Sequence, residues 1–181
     1  MSKVFGEIRQ FAFVVRDIDE AMKYWAQVLG IGPFFIKRKI EFSNYIYRGE
    51  PSKSPQISIA LANSGFIQIE LIEQHDNTPS IYQEYLQNSV GGLQHVSSWV
   101  TTEELRLKKQ ELLELGYSIA QECTIPSSGV QLLYFSTENS SANFIFEIAD
   151  LMEPNQYNRV QGIKSAYEQW NSETVAIEVG A

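Results

Sequence analysis

Hydrophobic and polar positions along the 181-residue chain follow two rhythms, and the order of the rhythms repeats. Ile8-Arg9-Gln10-Phe11-Ala12-Phe13-Val14-Val15 is a strand-like run with an amide near its start. Ile18, Ala21, Met22, Trp25, Val28 and Leu29 then fall on one face at the 3.6-residue helical period. Asp17 with Glu20 three residues on makes a capping-box-like start, and Gly30 stops the helix. The second half begins the same way with Leu93-Gln94-His95-Val96-Ser97-Ser98-Trp99-Val100. Thr102 follows as N-cap, Leu105, Leu112 and Leu115 form the buried stripe, and Gly116 is the stop.

The echo extends to later strands. Gly30 lies 20 residues past Gln10 and Gly116 lies 21 past His95. Ile67-Gln68-Ile69-Glu70-Leu71-Ile72 matches Phe144-Ile145-Phe146-Glu147-Ile148-Ala149, with a glutamate inside each apolar run. Strands are predicted at 7–15, 33–40, 45–48, 56–62, 66–73, 93–100, 117–124, 131–136 and 143–149. Each half reads β-α-β-β-β. The fold class is therefore α+β, two tandem βαβββ modules spanning 1–90 and 91–181 in one structural unit. Pro79 to Asn88 reads as a connector helix, and Pro154 to Trp170 as a terminal helix whose apolar side is Tyr157, Val160, Ile163, Tyr167 and Trp170. The Gly91-Gly92 pair reads as a flexible lead-in to the second module.

Composition narrows the function classes. Fourteen basic against 22 acidic residues give a net charge of −8, without a basic stripe, which argues against nucleic acid or an anionic membrane as partner. No apolar run approaches the length of a membrane span, and the N-terminus lacks a signal-peptide core, so a cytoplasmic protein is expected. The single cysteine, Cys123, excludes an internal disulfide and a thiolate metal cage, and is expected to pack as a small apolar residue.

The candidate chemistry lies in four polar side chains within apolar strands. Glu70 and Glu147 point away from the face used by their immediate neighbours, and Gln10 and His95 sit equivalently in the first strands of the two halves. A pseudo-twofold relation brings Gln10, Glu70, His95 and Glu147 round one point if the sheets curve towards each other. One imidazole, two carboxylates and an amide oxygen suit a divalent ion such as Zn, Ni, Co or Mn. Two buried carboxylates without a cation repel each other, so a metal also relieves an electrostatic difficulty. Gln68 lies two residues before Glu70 on the same face and is an alternative ligand.

The opening Gln10-Phe11-Ala12-Phe13-Val14-Val15-Arg16-Asp17-Ile18-Asp19-Glu20-Ala21, the Val28-Leu29-Gly30 ending, Gly91-Gly92-Leu93-Gln94-His95-Val96 and the two embedded glutamates resemble the vicinal oxygen chelate superfamily. That group includes glyoxalase I, methylmalonyl-CoA epimerase, extradiol dioxygenases and the fosfomycin- and bleomycin-resistance proteins. The resemblance covers about residues 7 to 150 and implies a cupped mixed β-sheet, flanked by helices, around a metal. Its glyoxalase I branch uses Gln, Glu, His and Glu as ligands, matched here by Gln10, Glu70, His95 and Glu147. Methylmalonyl-CoA epimerases differ at Gln10 and Glu70, and extradiol dioxygenases have histidine where this chain has Gln10.

The resemblance implies a metal-dependent isomerase or epimerase that abstracts a proton next to a carbonyl of a small carbonyl or thioester substrate. Glu147 is the first candidate base and Glu70 the second. Alternatives are a binding protein that sequesters a small molecule, as the bleomycin-resistance members do, and an extradiol-type dioxygenase. Tyr47, Arg48, His75 and Tyr134 are candidate substrate contacts, and a homodimer is expected by analogy.

Overall fold

The computed structural model describes residues 2–136 and 145–180. The elements are β1 (Ile8–Val14), α1 (Ile18–Gln27), β2 (Phe34–Glu41), β3 (Ser43–Tyr47), β4 (Glu50–Pro51), β5 (Gln56–Ser64), β6 (Ile67–Gln74), α2 (Ile81–Gln87), β7 (Gly92–Trp99) and α3 (Thr102–Glu114). They continue with β8 (Ser118–Thr124), β9 (Gln131–Ser136), β10 (Ile145–Ala149), α4 (Pro154–Glu168) and β11 (Ala176–Glu178). Residues 143 and 144 of the predicted last strand lie outside the described residues. Among the described residues no helix is long and apolar enough to cross a membrane.

All strands join one mixed sheet in the order β11-β2-β5-β6-β1-β7-β10-β9-β8-β3-β4. The first half contributes β2-β5-β6-β1 and the second β7-β10-β9-β8, mirror-ordered about an antiparallel β1–β7 junction. Within each half the first strand runs parallel to the last, β1 with β6 and β7 with β10. The two tandem modules read from the sequence are thus present, as one sheet. β2 ends at Glu41 near one flank, and β3 begins at Ser43 and pairs with β8 on the other. Only Phe42 separates them, so the sheet must curl until its flanks meet. That curl makes the cup.

Strand alternation divides the core. Ile69 and Leu71 of β6 pack under α1 with Ile18 and Met22, while Phe146 and Ile148 of β10 pack in a second cluster with Leu105 and Leu112 of α3. The opposite face of the same strands looks into the cup, where Ala12, Ile72, Leu132, Tyr134, Ala149 and Val160 share a third cluster. Helix α4 spans the cup. Its Gln156 amide donates to Ser128 O (2.8 Å) in the second half. Trp170, just past its end, stands so close to Gly32 of the first half that a Cβ there would lie 2.9 Å from the indole.

Several local expectations are corrected. The buried residues of α1 are Ile18, Met22 and Ala26, whereas Val28 and Leu29 are 64% and 46% exposed, because the helix ends at Gln27 and they belong to the turn before Gly30. The α3 N-cap is Thr101, one residue earlier than predicted, in a full capping box with Glu104; Leu115, its C-cap, is exposed. The strand predicted at 45–48 pairs across the cup with the second module, because β2 leaves the chain beside β8. Gly91 serves close approach as well as turning: its φ is +109°, and a Cβ would stand 2.9 Å from Val14 O. Of the predicted α4 face only Val160 is fully buried. Cys123 is a buried free thiol packed among apolar residues, as expected.

Candidate functional site

Strand register places the polar four. Gln10 pairs with Gln68 and Ala12 with Glu70 across β1–β6, while His95 pairs with Ile145 and Ser97 with Glu147 across β7–β10. Across the antiparallel junction Gln10 faces Ser97 and Ala12 faces His95. The pairings interconvert when Gln10 is exchanged for His95 and Glu70 for Glu147. Gln68 corresponds by the same operation to Ile145, so Glu70 is the true counterpart of Glu147.

The curl then brings side chains from both halves of a single chain together. His95 Nε2 lies 3.6 Å from Glu70 Oε2 and 3.7 Å from Glu147 Oε2. His95 is fully buried, and its Nε2 has no hydrogen-bond partner. Its Nδ1 is 2.6 Å from Gln94 Oε1, an acceptor, so the ring proton sits on Nδ1 and the Nε2 lone pair faces the carboxylates. Gln10 Nε2 donates to Gln68 Oε1 (2.8 Å), which leaves the buried Gln10 Oε1 unpartnered.

Burial sets the electrostatics. Desolvation pushes the Glu70 carboxyl up to about 8. Glu147 is also raised by desolvation, opposed by His95 and by the Ser97 and Tyr134 hydroxyls. Desolvation lowers the imidazole of His95, with Glu147 acting against it. Behind Glu147 a buried chain of donors runs from Gln121 Nε2 to Tyr82 Oη (3.4 Å) and from Tyr82 Oη to Tyr134 Oη (3.1 Å). The Ser97 and Tyr134 hydroxyls favour the ionised form of Glu147, whereas burial is what raises Glu70.

Among the described residues no three His, Cys, Asp or Glu side chains are already gathered as a metal centre. The donors nevertheless fit a divalent ion. A lone pair without a proton, two carboxylates and an orphaned amide oxygen are all acceptors, and only a cation or extra protons can satisfy them together. Ligands bound at about 2.1 Å in a tetrahedral site stand roughly 3.4 Å apart, close to the observed spacing from His95 to each carboxylate.

Gln10, Gln68, Glu70 and Glu147 form the polar floor of a cavity of about 540 Å³. Its walls are apolar, among them Ile59, Leu61, Leu132 and Ile163, and α4 and the chain near Gly180 complete them. Lys37 and Arg159 line it too. The volume lies within the ordinary range for small-molecule sites.

The four substrate-contact candidates do not line this cavity. Tyr47 and Arg48 both bond Glu84, with Arg48 Nη2 at 2.6 Å. His75 Nε2 is 2.7 Å from Ser58 Oγ, and its Nδ1 is 3.4 Å from Glu73. Tyr134 is buried between His95, whose ring it meets edge-on at 5.2 Å, and Tyr82. Gln94, Lys37 and Arg159 were missed. Gln94 had an available signal, since its amide sits directly beside the one buried histidine.

The family profile described as Glyoxalase/Bleomycin resistance protein/Dioxygenase superfamily matches residues 9–134. Among proteins of curated function none matches the sequence. Among solved structures, methylmalonyl-CoA epimerase from Mycobacterium tuberculosis is similar with a TM-score of 0.58 at 14% identity, covering 87% of this chain and 95% of that one. A variant of the Streptomyces coelicolor epimerase in complex with 2-nitronate-propionyl-CoA gives 0.56 at 11% identity, covering 82% and 99%. A hypothetical protein from Bacillus halodurans C-125 gives 0.55 at 18% identity, covering 81% and 95%. These identities speak for the fold alone. The profile match over most of the chain, joined to paired βαβββ modules curled into one cup, means that the chain belongs to the glyoxalase/bleomycin resistance/dioxygenase, or vicinal oxygen chelate, superfamily.

Proposed function

We propose that this protein is a divalent-metal-dependent isomerase or epimerase that moves a proton at the carbon next to a carbonyl. The observation that carries the reading is the buried, bondless Nε2 of His95 facing both Glu70 and Glu147. His95, Glu70, Glu147 and the Gln10 carbonyl oxygen would hold the ion. Bound there, it would supply Lewis-acid polarisation of the substrate carbonyl.

The residues themselves do the proton work. Glu147 takes the proton, because the Ser97 and Tyr134 hydroxyls support its ionised form. Glu70, the register counterpart of Glu147, is the second carboxyl and in this reading returns the proton. Return to the same carbon is epimerisation; return to the adjacent carbon is a glyoxalase-type isomerisation.

The test is deuterium wash-in at the α-carbon of methylmalonyl-CoA and of a thiohemiacetal, with added Zn, Ni, Co or Mn. Exchange with either substrate, abolished in Glu147→Gln, is the expected result. A metal-loaded protein that exchanges neither substrate counts against the reading. The apolar walls of the 540 Å³ cavity favour one second reading, a protein that sequesters a small hydrophobic molecule.

A further inference from the structure

In a chain with an excess of acids, cations without an acidic partner stand out. Several basic side chains here are matched. Arg38 bonds Asp19 (2.7 Å) and Glu178 (2.8 Å), Lys23 bonds Glu20 (2.6 Å), and Lys109 bonds Glu122 (2.5 Å). Lys37 and Arg159 are the two basic residues of the cavity lining. Lys37 precedes Arg38 on β2, and by alternation it turns into the cup while Arg38 turns out. Its ammonium donates to Ser127 Oγ (2.7 Å), and Arg159 on α4 donates to Gln156 Oε1 (3.5 Å). Among the described residues neither meets a carboxylate in an ion pair.

Both line the same cavity as Glu70 and Glu147. Arg159 is exposed, whereas the two glutamates are buried, so the cations belong to the solvent end and the acids to the floor. Burial, and then the charge of Arg159, lower the Lys37 ammonium below its ordinary value. Two like charges beside one apolar space are relieved by an anion between them. A cavity of about 540 Å³ also exceeds what a carbonyl and its α-carbon occupy, so the ligand must bring an apolar body to fill the walls.

We propose that Lys37 and Arg159 form a subsite for an anionic group, so that the ligand carries a carboxylate or phosphate separated by an apolar body from the end that reaches Glu70 and Glu147. That the far end is a reacting carbonyl rests on the function proposed above; the anion subsite does not. The two cations at the solvent end fix which way round the ligand enters. α4 places Arg159 by being tied at its start to Ser128 and just past its end to Gly32.

The test is calorimetric titration of the purified protein with octanoate, octyl phosphate and 1-octanol, which share a chain and differ in charge. Octanoate or octyl phosphate is expected to bind at least about tenfold more tightly than octanol. The tighter of the two anions identifies the group as carboxylate or phosphate. Lys37→Met and Arg159→Met are each expected to weaken anion binding about tenfold, to leave octanol within about twofold, and to melt like the parent; Lys37→Arg retains most of the affinity.

Octanol binding as well as the anions, equal weakening of all three probes in the Met variants, or no binding of any probe would overturn the subsite. Tighter anion binding in Glu147→Gln with full retention in both Met variants would put the anion at the floor and overturn it equally. If the anion preference holds while no α-proton exchange is found, the subsite stands and the proposed reaction falls.

Discussion

Gln94 Oε1 lies 2.6 Å from His95 Nδ1, while the other end of the same amide, Gln94 Nε2, is 3.5 Å from Ile81 O. The amide is thus oriented by a backbone carbonyl, and its oxygen in turn fixes the proton of His95 on Nδ1. This leaves Nε2 as an acceptor between two carboxylates. Partners of this kind set the tautomer and direction of a ligating imidazole.

Removing that partner is expected to weaken the metal site without touching a proposed ligand. Gln94→Ala should lower affinity for Zn or Co about 10- to 100-fold, read by competition with a chromogenic chelator. Gln94→Glu should recover much of the loss, since a carboxylate also accepts from Nδ1. Unchanged affinity in Gln94→Ala would remove it from the site.

Glu147→Gln is expected to lower α-proton exchange by at least about 100-fold, the usual scale of a lost general base. Glu70→Gln should also slow exchange. Should Glu70→Gln abolish exchange and Glu147→Gln spare it, the two roles are reversed.

Stability of the metal-free protein should fall as pH rises from about 6.5 to about 8. Glu70 ionises at about 8 in the folded state, against an ordinary value of 4.5, so over that interval the folded chain holds a proton that the unfolded chain has lost. Unfolding then becomes easier by up to about 1.4 kcal/mol per pH unit for each such proton. The contribution is complete below the unfolded value and is lost through the folded one. Glu147, also raised, acts with the same sign. His95, lowered from 6.5, acts oppositely but only below that pH. Thermal melts of chelator-treated protein at pH 6.5 and 8 check this, and an added divalent ion should flatten the difference. A melting temperature that rises over this interval would contradict the assignment.

The repeated polar positions were legible because strand alternation is local, each glutamate in an apolar run declaring its face, whereas the cupped sheet was implied by the resemblance to the vicinal oxygen chelate superfamily. The equivalence of Glu70 with Glu147 followed from the repeat and is matched by the register. What lies across the cup was not legible. Lys37 sits in the charged run Lys37-Arg38-Lys39, and only the cup distinguishes the inward residue from its outward neighbour. The placement of α4 depends on Ser128 and Gly32, far away in sequence on both halves. Tyr47 and Arg48 were expected to face substrate, but the flank-to-flank pairing of β3 with β8 carries them to Glu84.

Gly162 of α4 lines the cavity, and a Cβ there would meet nothing within 4 Å. Gly162→Ala should therefore stabilise the chain by about 0.5–1 kcal/mol through helix propensity. Gly162→Phe should keep the fold and weaken octanoate binding by at least about tenfold, by occupying apolar space. Equal ligand affinity in the parent and Gly162→Phe would show that ligand does not enter beneath α4.

The most direct measurement is elemental analysis of metal per chain for protein purified without added metal or chelator, set beside His95→Ala. Close to one Zn, Ni, Co or Mn per chain, lost in His95→Ala, is the predicted result. Protein that carries no divalent metal and takes none up on titration would contradict a metal held by His95, Glu70 and Glu147.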